Sequence, residues 1–190
     1  MRNRNKIRAR ALVFAALLPL VFMVTSCKRP TDAQVKNAIQ VIDMDTKWVA
    51  KEFKQWPHPK LTLVPTISFK VKNLSPEPLK YVNFNAVFKE RDAVDNLGDN
   101  FFSAIGHEPV LPGAISSLIT MKSNFGVEGK TLDSFKNNPQ WKTYYVKLFA
   151  QVRGSRHVLL GQWPVSRKID FKEPEPPRFE GDKKEEPSKK

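Results

Sequence analysis

The chain has 190 residues and a formal net charge of +13, from 32 basic and 19 acidic residues. This length allows one domain of ordinary size together with flexible ends. Its only cysteine is Cys27, which excludes an intrachain disulfide and a zinc site built from several cysteines.

The first 26 residues are predicted to be an export signal. Five positive charges and no acidic residue lie between Met1 and Arg10, as in the charged first region of such signals. The following run, Ala11 to Ser26, is almost wholly apolar, but its 16 residues are fewer than the ~20 that cross a bilayer comfortably as a helix. We therefore expect cleavage rather than permanent spanning. Export would also separate the chain from nucleic acid, which we do not expect as a partner.

The end of this signal, Val24-Thr25-Ser26-Cys27, resembles the lipobox of bacterial lipoproteins, in which an aliphatic and two small residues precede a lipidated cysteine. The resemblance implies that Cys27 carries a diacylglyceryl group and a further acyl chain such as palmitate, and several chains anchor a protein stably. Lys28 stands where an Asp retains lipoproteins at the inner membrane in enterobacteria, so we expect the outer membrane, facing the periplasm. The alternatives are an uncleaved anchor helix with an incidental Cys27, and a soluble periplasmic protein cut elsewhere.

The positive charge is concentrated in the middle of the chain. The leader holds five basic residues, and residues 168–190 hold seven basic and seven acidic residues. Residues 27–167 therefore contain 20 basic and 12 acidic residues, an excess of eight positive charges. Such a field attracts anionic surfaces, which in a cell envelope are phospholipid headgroups or anionic polymers. The attraction is expected to be strongest if Lys147, Arg153 and Arg156 gather on one face.

After a lipidated tether at residues 27–46, the chain is predicted to form a β-sandwich over residues 47–167. In the tether, Asp32 is a candidate N-cap for a helix from Ala33 to Asp43. Beyond it, apolar and polar residues alternate in about seven short stretches, which is typical of two packed antiparallel sheets. The predicted strands are Leu61 to Lys72, Tyr81 to Phe88, Phe101 to Ile105, Ile115 to Met121, Tyr144 to Val152 and Val158 to Val165, and Thr131 is expected to cap a short helix ending before Pro139. Pro65 removes one ladder donor, which predicts an edge position or a bulge.

The last segment, residues 168–190, is expected to be a disordered tail because it is rich in Pro, Glu and Lys. Its sizeable apolar residues are only Ile169, Phe171 and Phe179. Deleting the chain from Glu173 onward is therefore expected to leave the melting temperature almost unchanged.

Two stretches of the predicted sandwich carry a family resemblance. The order VKNLSPEPLKYVNFNAVFK, an acidic loop, then PVLPGAISSLITMKS resembles the immunoglobulin-like modules of bacterial envelope proteins, including FxLYD-type and related uncharacterised lipoprotein domains. These share an Asn-x-Ser turn after one strand, alternating aromatics in the next, and a Pro-Gly step before another. The resemblance covers about Leu61 to Val165. It implies a binding or spacing module and transfers no residue-level site.

A search for catalytic or metal-binding patterns favours none. The three histidines, His58, His107 and His157, lie in different segments without the spacing of paired metal ligands. The acidic loop from Glu90 to Asp99 lacks the spacing of a known calcium loop. No serine lies in a Gly-x-Ser-x-Gly context. We therefore expect no catalytic residue, no metal and no cofactor.

Candidate binding residues are aromatic and basic. The loop Ser123 to Lys130 contains two glycines and places Phe125 among polar residues, so Phe125 and Lys130 are candidates, together with Arg153 and Arg156. Alternatively, Phe125 plugs the end of the sandwich. The function that these observations favour is a membrane-tethered, non-enzymatic module that binds an envelope protein or an anionic polymer. The competing hypothesis is an envelope enzyme or small-ligand carrier, for which a deep pocket with converging acidic or histidine side chains would be evidence.

Overall fold

The structure is a computed structural model, and it describes residues 29–136, 138 and 141–175. The two described helices are α1 (Asp32–Ala38) and α2 (Asp133–Lys136). The described strands are β1 (Ile39–Lys54), β2 (Lys60–Asn73), β3 (Val82–Glu90), β4 (Asn96–Ile105), β5 (Ile119–Lys122), β6 (Val127–Gly129), β7 (Tyr144–Val152), β8 (Val158–Pro164) and β9 (Ile169–Asp170). The predicted signal, Cys27 and residues 176–190 of the predicted tail lie outside the described residues.

These strands form two sheets. In the five-stranded sheet the order is β5-β2-β1-β9, with β6 also pairing with β2, and in the four-stranded sheet it is β4-β3-β7-β8. All pairs are antiparallel except β1 with β9. The partition of the strands between the sheets is that of immunoglobulin-like sandwiches, in which neighbouring hairpins are divided between two layers. The predicted all-β, immunoglobulin-like sandwich is confirmed.

Side chains that alternate along the strands fill the space between the sheets. In β3, Phe84, Ala86 and Phe88 are fully buried, whereas Asn85 and Val87 between them are half-buried on the outer side. The ring centroids of Phe84 and Phe69 of β2 lie 5.3 Å apart in an edge-on contact that joins the two sheets. At the other end of the core, Trp48 contacts Trp141 in the same way, also at 5.3 Å. Burial of this apolar area is the main stabilising term of the sandwich.

The N-terminal helix is shorter than predicted, and the sandwich begins earlier. The hydroxyl of Thr31, not the Asp32 carboxylate, caps α1 by accepting a hydrogen bond from the Gln34 amide. From Ile39 onward the chain pairs with β2 rather than continuing as a helix to Asp43. Val35 and Ile39 keep the predicted apolar spacing and are both buried. The predicted boundary at residue 47 is therefore wrong, because eight residues of β1 precede it and the ladder with β2 outweighs their helical spacing.

The irregularity predicted at Pro65 lies in the neighbouring strand. β2 is central and matches its predicted range within one residue at each end. On one side, β2 pairs with β5 and with β6. The ladder is interrupted between the end of β5 at Lys122, opposite Thr66, and the start of β6 at Val127, opposite Leu63. The Pro65 carbonyl accepts a hydrogen bond from Ser123 on this side, and a backbone N–H of the same residue would point there too. The missing donor of Pro65 thus falls where the ladder is already open.

Two other strand boundaries differ from the prediction. β4 begins at Asn96 and not at Phe101, because most of the residues between them, although polar, pair with β3. β5 begins only at Ile119, and Ile115 makes an isolated bridge to Lys72. The predicted short helix before Pro139 is present as α2, in which the Thr131 carbonyl accepts from the Ser134 amide and hydroxyl.

The segment predicted to begin a disordered tail is docked on the sandwich as far as it is described. β9 pairs in parallel with Trp48 and Val49 of β1. The ring of Phe171 lies 5.2 Å from that of Phe53. Beyond β9, Gln55 donates to the Pro174 carbonyl at 2.9 Å, and the Glu173 carboxylate accepts from the Leu132 amide at 3.4 Å. The prediction of disorder is therefore wrong for residues 168–175, because a few apolar side chains suffice when an edge of β1 is free to pair.

Candidate binding surface

The four-stranded sheet has an outer face that carries apolar side chains. Strand register places Phe101 of β4, Asn85 of β3, Phe149 of β7 and Leu159 of β8 side by side in one row across the sheet. Inward neighbours of this row, such as Leu148 and Ala150 of β7, are fully buried, so the row itself points away from the core. Phe101 is 55% exposed and Leu159 42% exposed, while Phe149 is half-buried. We call this row and its flanking outward side chains the outer four-stranded face.

An amide group in this row lacks a hydrogen-bond partner. The side-chain oxygen of Asn85 is shielded from solvent and accepts no hydrogen bond from the described residues. In the next row, Asn83 donates to the Gln151 side chain at 3.3 Å, so that amide is satisfied. A buried carbonyl oxygen without a donor is a free-energy cost that the folded sheet carries at this position.

Cations flank the row on its other side. Lys147 lies beside Val87 and Gln162 in the strand register, and no ion pair or hydrogen bond of its ammonium group occurs among the described residues. Arg91 donates to the Tyr145 hydroxyl and lies 5.3 Å from the centre of that ring. This hydrogen bond, together with the charge of the phenol oxygen, raises the pKa of Arg91. The outer four-stranded face thus combines exposed rings, amides and positive charge, which is the composition of many partner-binding surfaces.

The loop that the sequence singled out lies elsewhere. Part of Ser123 to Lys130 is strand β6, and Phe125 projects from the preceding interruption with 65% of its surface exposed. Phe125 therefore does not plug the sandwich. The Lys51 ammonium donates to the Asn124 carbonyl and lies 6.0 Å from the centre of the Phe125 ring. This loop is tied to the edge of β4 as well, because Asn124 exchanges backbone and side-chain hydrogen bonds with Asp99.

The four predicted binding residues are not brought together. Lys130 follows Gly129, which pairs with Leu61 at the start of β2. Arg153 lies in the β7–β8 turn and is 4.0 Å from Glu77, close to the other end of β2 at Asn73. The intervening length of β2 is roughly 40 Å at the usual rise per residue. Lys147 is also separated from Arg153 and Arg156 along β7, so these three cations do not form the single cluster that would have made the attraction to anionic surfaces strongest.

Open grooves lie on the surface of the described residues. One of them, of about 530 Å³, is lined by Trp56, His58 and Glu128, among others. A second, lined by Glu52 and Glu128, lies beside Phe125, and a third lies between Glu90 and Lys147. The hydrogen bond from Lys54, followed by that from Lys60, lowers the pKa of Glu52. No group of three His, Cys, Asp or Glu side chains that could hold a metal occurs in the described part of the chain.

Sequence reasoning did not single out the row that contains Phe101, although it had a signal. In β7 the outward positions are Tyr145, Lys147, Phe149 and Gln151, and a large apolar side chain at an outward position breaks the expected alternation. The same holds for Leu159 in β8. Because which strands are neighbours is a tertiary fact, the sequence could show each outward apolar residue but not their alignment.

The fold and this face define an immunoglobulin-like β-sandwich with an exposed aromatic surface on one sheet. No protein family matches the chain, and no curated protein matches it. One solved structure, the Northeast Structural Genomics Consortium target SoR45, is similar with 11% identity and a TM-score of 0.40, over 70% of this chain and 89% of that chain. Another, the ligand binding region of serine-glutamate repeat protein A (SgrA) of Enterococcus faecium, has 12% identity and a TM-score of 0.26, over 67% of this chain and 99% of that chain. Likenesses at these TM-scores say nothing about what this chain binds.

Proposed function

We propose that this chain is a bacterial envelope lipoprotein that acts as a non-enzymatic binding module. In this proposal the signal at residues 1–26 exports it, and lipidated Cys27 anchors it to the outer membrane on the periplasmic side. The folded domain then binds another envelope protein through the outer four-stranded face. The anchor rests on the sequence alone, because Cys27 lies outside the described residues. No helix within residues 29–136 or 141–175 is long and apolar enough to span a bilayer.

The observation that carries the binding role is the row of Phe101, Phe149 and Leu159, in which Phe101 and Leu159 are exposed on one flat sheet. Exposed apolar side chains on a rigid sheet gain free energy when a partner removes them from water. A protein partner fits better than a diffuse polymer because a flat apolar row can be matched in shape by side chains, whereas charge alone would not require the rings.

The carboxylates of the groove beside Phe125 do not have the environment of a general acid. A general acid needs a pKa raised towards neutrality. Glu52, which lines one groove, has a lowered pKa because Lys54 and Lys60 hold it ionised. Glu128 in the same groove is paired with Lys60 at 2.9 Å. These carboxylates serve as partners of lysines on neighbouring residues and strands.

Site-specific photo-crosslinking in intact cells tests the binding role. A photoreactive amino acid replaces Phe101 on the outer four-stranded face, and in a matched control it replaces Lys122, which is exposed on the outer side of the other sheet. A discrete protein adduct at position 101 and none at position 122 is the expected result. Equal adducts at both positions, or none at either, would contradict a recognition role for this face.

Mass spectrometry of the mature protein tests the anchor separately. Cleavage before Cys27 and an acyl mass on that residue are expected. Cys27→Ser should accumulate as an unprocessed precursor. A mature N-terminus elsewhere, without acyl mass, would refute the lipoprotein.

A further inference from the structure

One end of the sandwich presents apolar side chains on short loops, at the place where the N-terminal segment joins the domain. We call it the α1 end. Three large side chains there, Leu74, Leu111 and Ile115, are 53%, 57% and 54% exposed. The Leu74 amide donates to the Ala38 carbonyl at the end of α1, so these loops lie directly beside the helix. Exposed apolar side chains on adjacent loops mark an interaction surface more often than isolated ones do.

The loops of the α1 end are held in place from below by Asn73, which is fully buried. Its side-chain nitrogen donates to the carbonyls of Glu77 and Val110 at 2.8 and 2.9 Å, and its oxygen accepts from the Ser75 amide and hydroxyl. The two loops are also joined directly, because Leu79 and Val110 exchange backbone hydrogen bonds. This network fixes the backbone of the loops from which Leu74 and Leu111 project.

The α1 end also has an excess of positive charge. Its exposed or half-buried basic residues outnumber its acidic ones by six to three, and they are Arg29, Lys36, Lys72, Lys80, Arg153 and Arg156 against Asp32, Glu77 and Glu108. The one recorded ion pair among them, Arg153 with Glu77, is long at 4.0 Å and exposed. Apolar side chains that project beside lysines and arginines are the chemistry of surfaces that settle into anionic lipid headgroups.

The position of the proposed anchor decides which surface meets this end. Cys27 is only two residues before Arg29, the first described residue, and two residues span at most about 7 Å. A lipid on Cys27 therefore places the α1 end, and not the end with the β3–β4 hairpin, within reach of the headgroups. We propose that the α1 end docks onto the anionic surface of the membrane that holds Cys27, with Leu74 and Leu111 among the headgroups and Arg153 and Arg156 beside phosphates. This inference rests on the proposed lipid anchor.

Docking leaves the outer four-stranded face free. The row of Phe101 and Leu159 lies on the outer side of the four-stranded sheet and not at either end of the sandwich. The last described strand, β9, pairs with β1 in the other sheet and does not cover this row. A domain that stands on its α1 end would therefore present the binding face sideways to the periplasm, at a fixed height above the bilayer.

Depth-dependent quenching of a fluorophore on the full-length lipoprotein tests the docking. Leu111→Cys and Val94→Cys each supply one free thiol for the label, because Cys27 is blocked by lipid in the mature protein. Val94 is the control, since it is also an exposed apolar residue, even more accessible than Leu111, but lies in the hairpin at the far end. The labelled proteins are placed in vesicles of phosphatidylcholine with or without phosphatidylglycerol, both containing nitroxide-labelled lipid.

The expected result is quenching at position 111 that is several-fold stronger than at position 94, and that weakens when phosphatidylglycerol is omitted or salt is raised. Arg153→Glu with Arg156→Glu should reduce the quenching at 111, whereas Lys130→Glu with Lys136→Glu, at the other end, should not. Equal quenching at 111 in both kinds of vesicle would show proximity by tether alone and overturn the docking. If the protein floats with vesicles but neither label is quenched, docking fails and the anchor stands. If it does not float at all, the anchor itself fails.

Discussion

The outer faces of the two sheets differ although the sheets share one core. On the five-stranded sheet, lysines are paired across strands: Lys47 with Asp170 at 2.6 Å, Lys70 with Asp43 at 3.0 Å, and Lys60 with Glu128. On the four-stranded sheet a row that crosses the outer face contains Phe101, Phe149 and Leu159.

Neither outer face is dictated by the packing between the sheets, which uses only the inward residues. A sheet exposed on one side is normally polar there, as the five-stranded sheet is. The rings on the other sheet expose apolar area to water, so the fold does not require them. This difference is what leads us to propose the four-stranded sheet, and not the five-stranded one, as the binding face.

The largest expected effect is a loss of stability that occurs when a core phenylalanine is removed but not when a phenylalanine of the outer row is removed. Phe84→Ala removes the ring that contacts Phe69 between the sheets and should destabilise the domain by about 3–5 kcal/mol. Phe101→Ala, the same substitution on the outer side of neighbouring β4, should leave unfolding by denaturant nearly unchanged while abolishing the crosslinked adduct of the binding face, probed then from position 159. If Phe101→Ala were as destabilising as Phe84→Ala, the outer row would be part of the core.

A second effect concerns the backbone that supports Phe125. A Cβ at Gly126 would lie 2.0 Å from the Leu63 carbonyl oxygen, so Gly126→Ala must push β6 away from β2. We expect a loss of about 1–3 kcal/mol, as for other overpacked sites. Gly106→Ala is the control, because a Cβ there meets nothing within 4 Å. Equal melting temperatures for the two variants would contradict the close approach of this loop to β2.

The sequence predicted the strands well where the alternation of apolar and polar residues was the only pattern present. The alternation from Leu61 to Lys72 marked β2 within one residue, since one side of that strand faces the core throughout. It was misleading where two patterns competed. Val35, Ile39 and Ile42 fit a helical period, but the segment after Ala38 gains a full ladder with β2, and pairing over such a length outweighs local spacing.

The candidate site was predicted less well than the fold. Phe125 was recognised as an unusual aromatic residue and is exposed, but Arg153 and Lys130 proved to lie at opposite ends of the sandwich. The row of Phe101 and Leu159 needed the strand order, because the two residues are 58 positions apart and three strands intervene in sequence between β4 and β8. Register across a sheet cannot be read from one strand at a time.

A smaller effect sharpens the contrast between the two faces. Glu128→Gln removes a partner of Lys60 on the five-stranded sheet, and exposed ion pairs contribute little, so the melting temperature should hardly move. Lys147→Gln on the other sheet should likewise leave stability unchanged, but it should weaken the adduct formed at position 101. Equal weakening of that adduct by Glu128→Gln and Lys147→Gln would contradict the proposal that the partner binds the four-stranded sheet.

The smallest expected effect is the local release of β9 from the five-stranded sheet. Asp170 accepts a hydrogen bond from Lys47, which lowers the pKa of Asp170 and raises that of Lys47. Because the pKa of Asp170 is lowered in the folded protein, its carboxylate stabilises the fold at pH values above the ordinary carboxyl pKa, and this stability is lost as pH falls through the lowered pKa. Because the pKa of Lys47 is raised, its ammonium group stabilises the fold at pH values below the ordinary lysine pKa, and this stability is lost as pH rises through the raised pKa. The pair is therefore fully effective between about pH 4 and pH 10.

Hydrogen exchange at the Trp48 amide reports on this pair, because that amide donates to the Lys168 carbonyl at 2.8 Å and is freed when β9 leaves β1. Asp170→Asn should speed its exchange, corrected for the intrinsic rate, at neutral pH. It should change the exchange much less well below pH 4, where Asp170 is already protonated in the parent protein. Asp43→Asn, which frees Lys70 on the same face but away from β9, should leave the Trp48 amide unaffected. Unchanged protection in Asp170→Asn would mean that the contact of Phe171 with Phe53 holds the segment without help from charge.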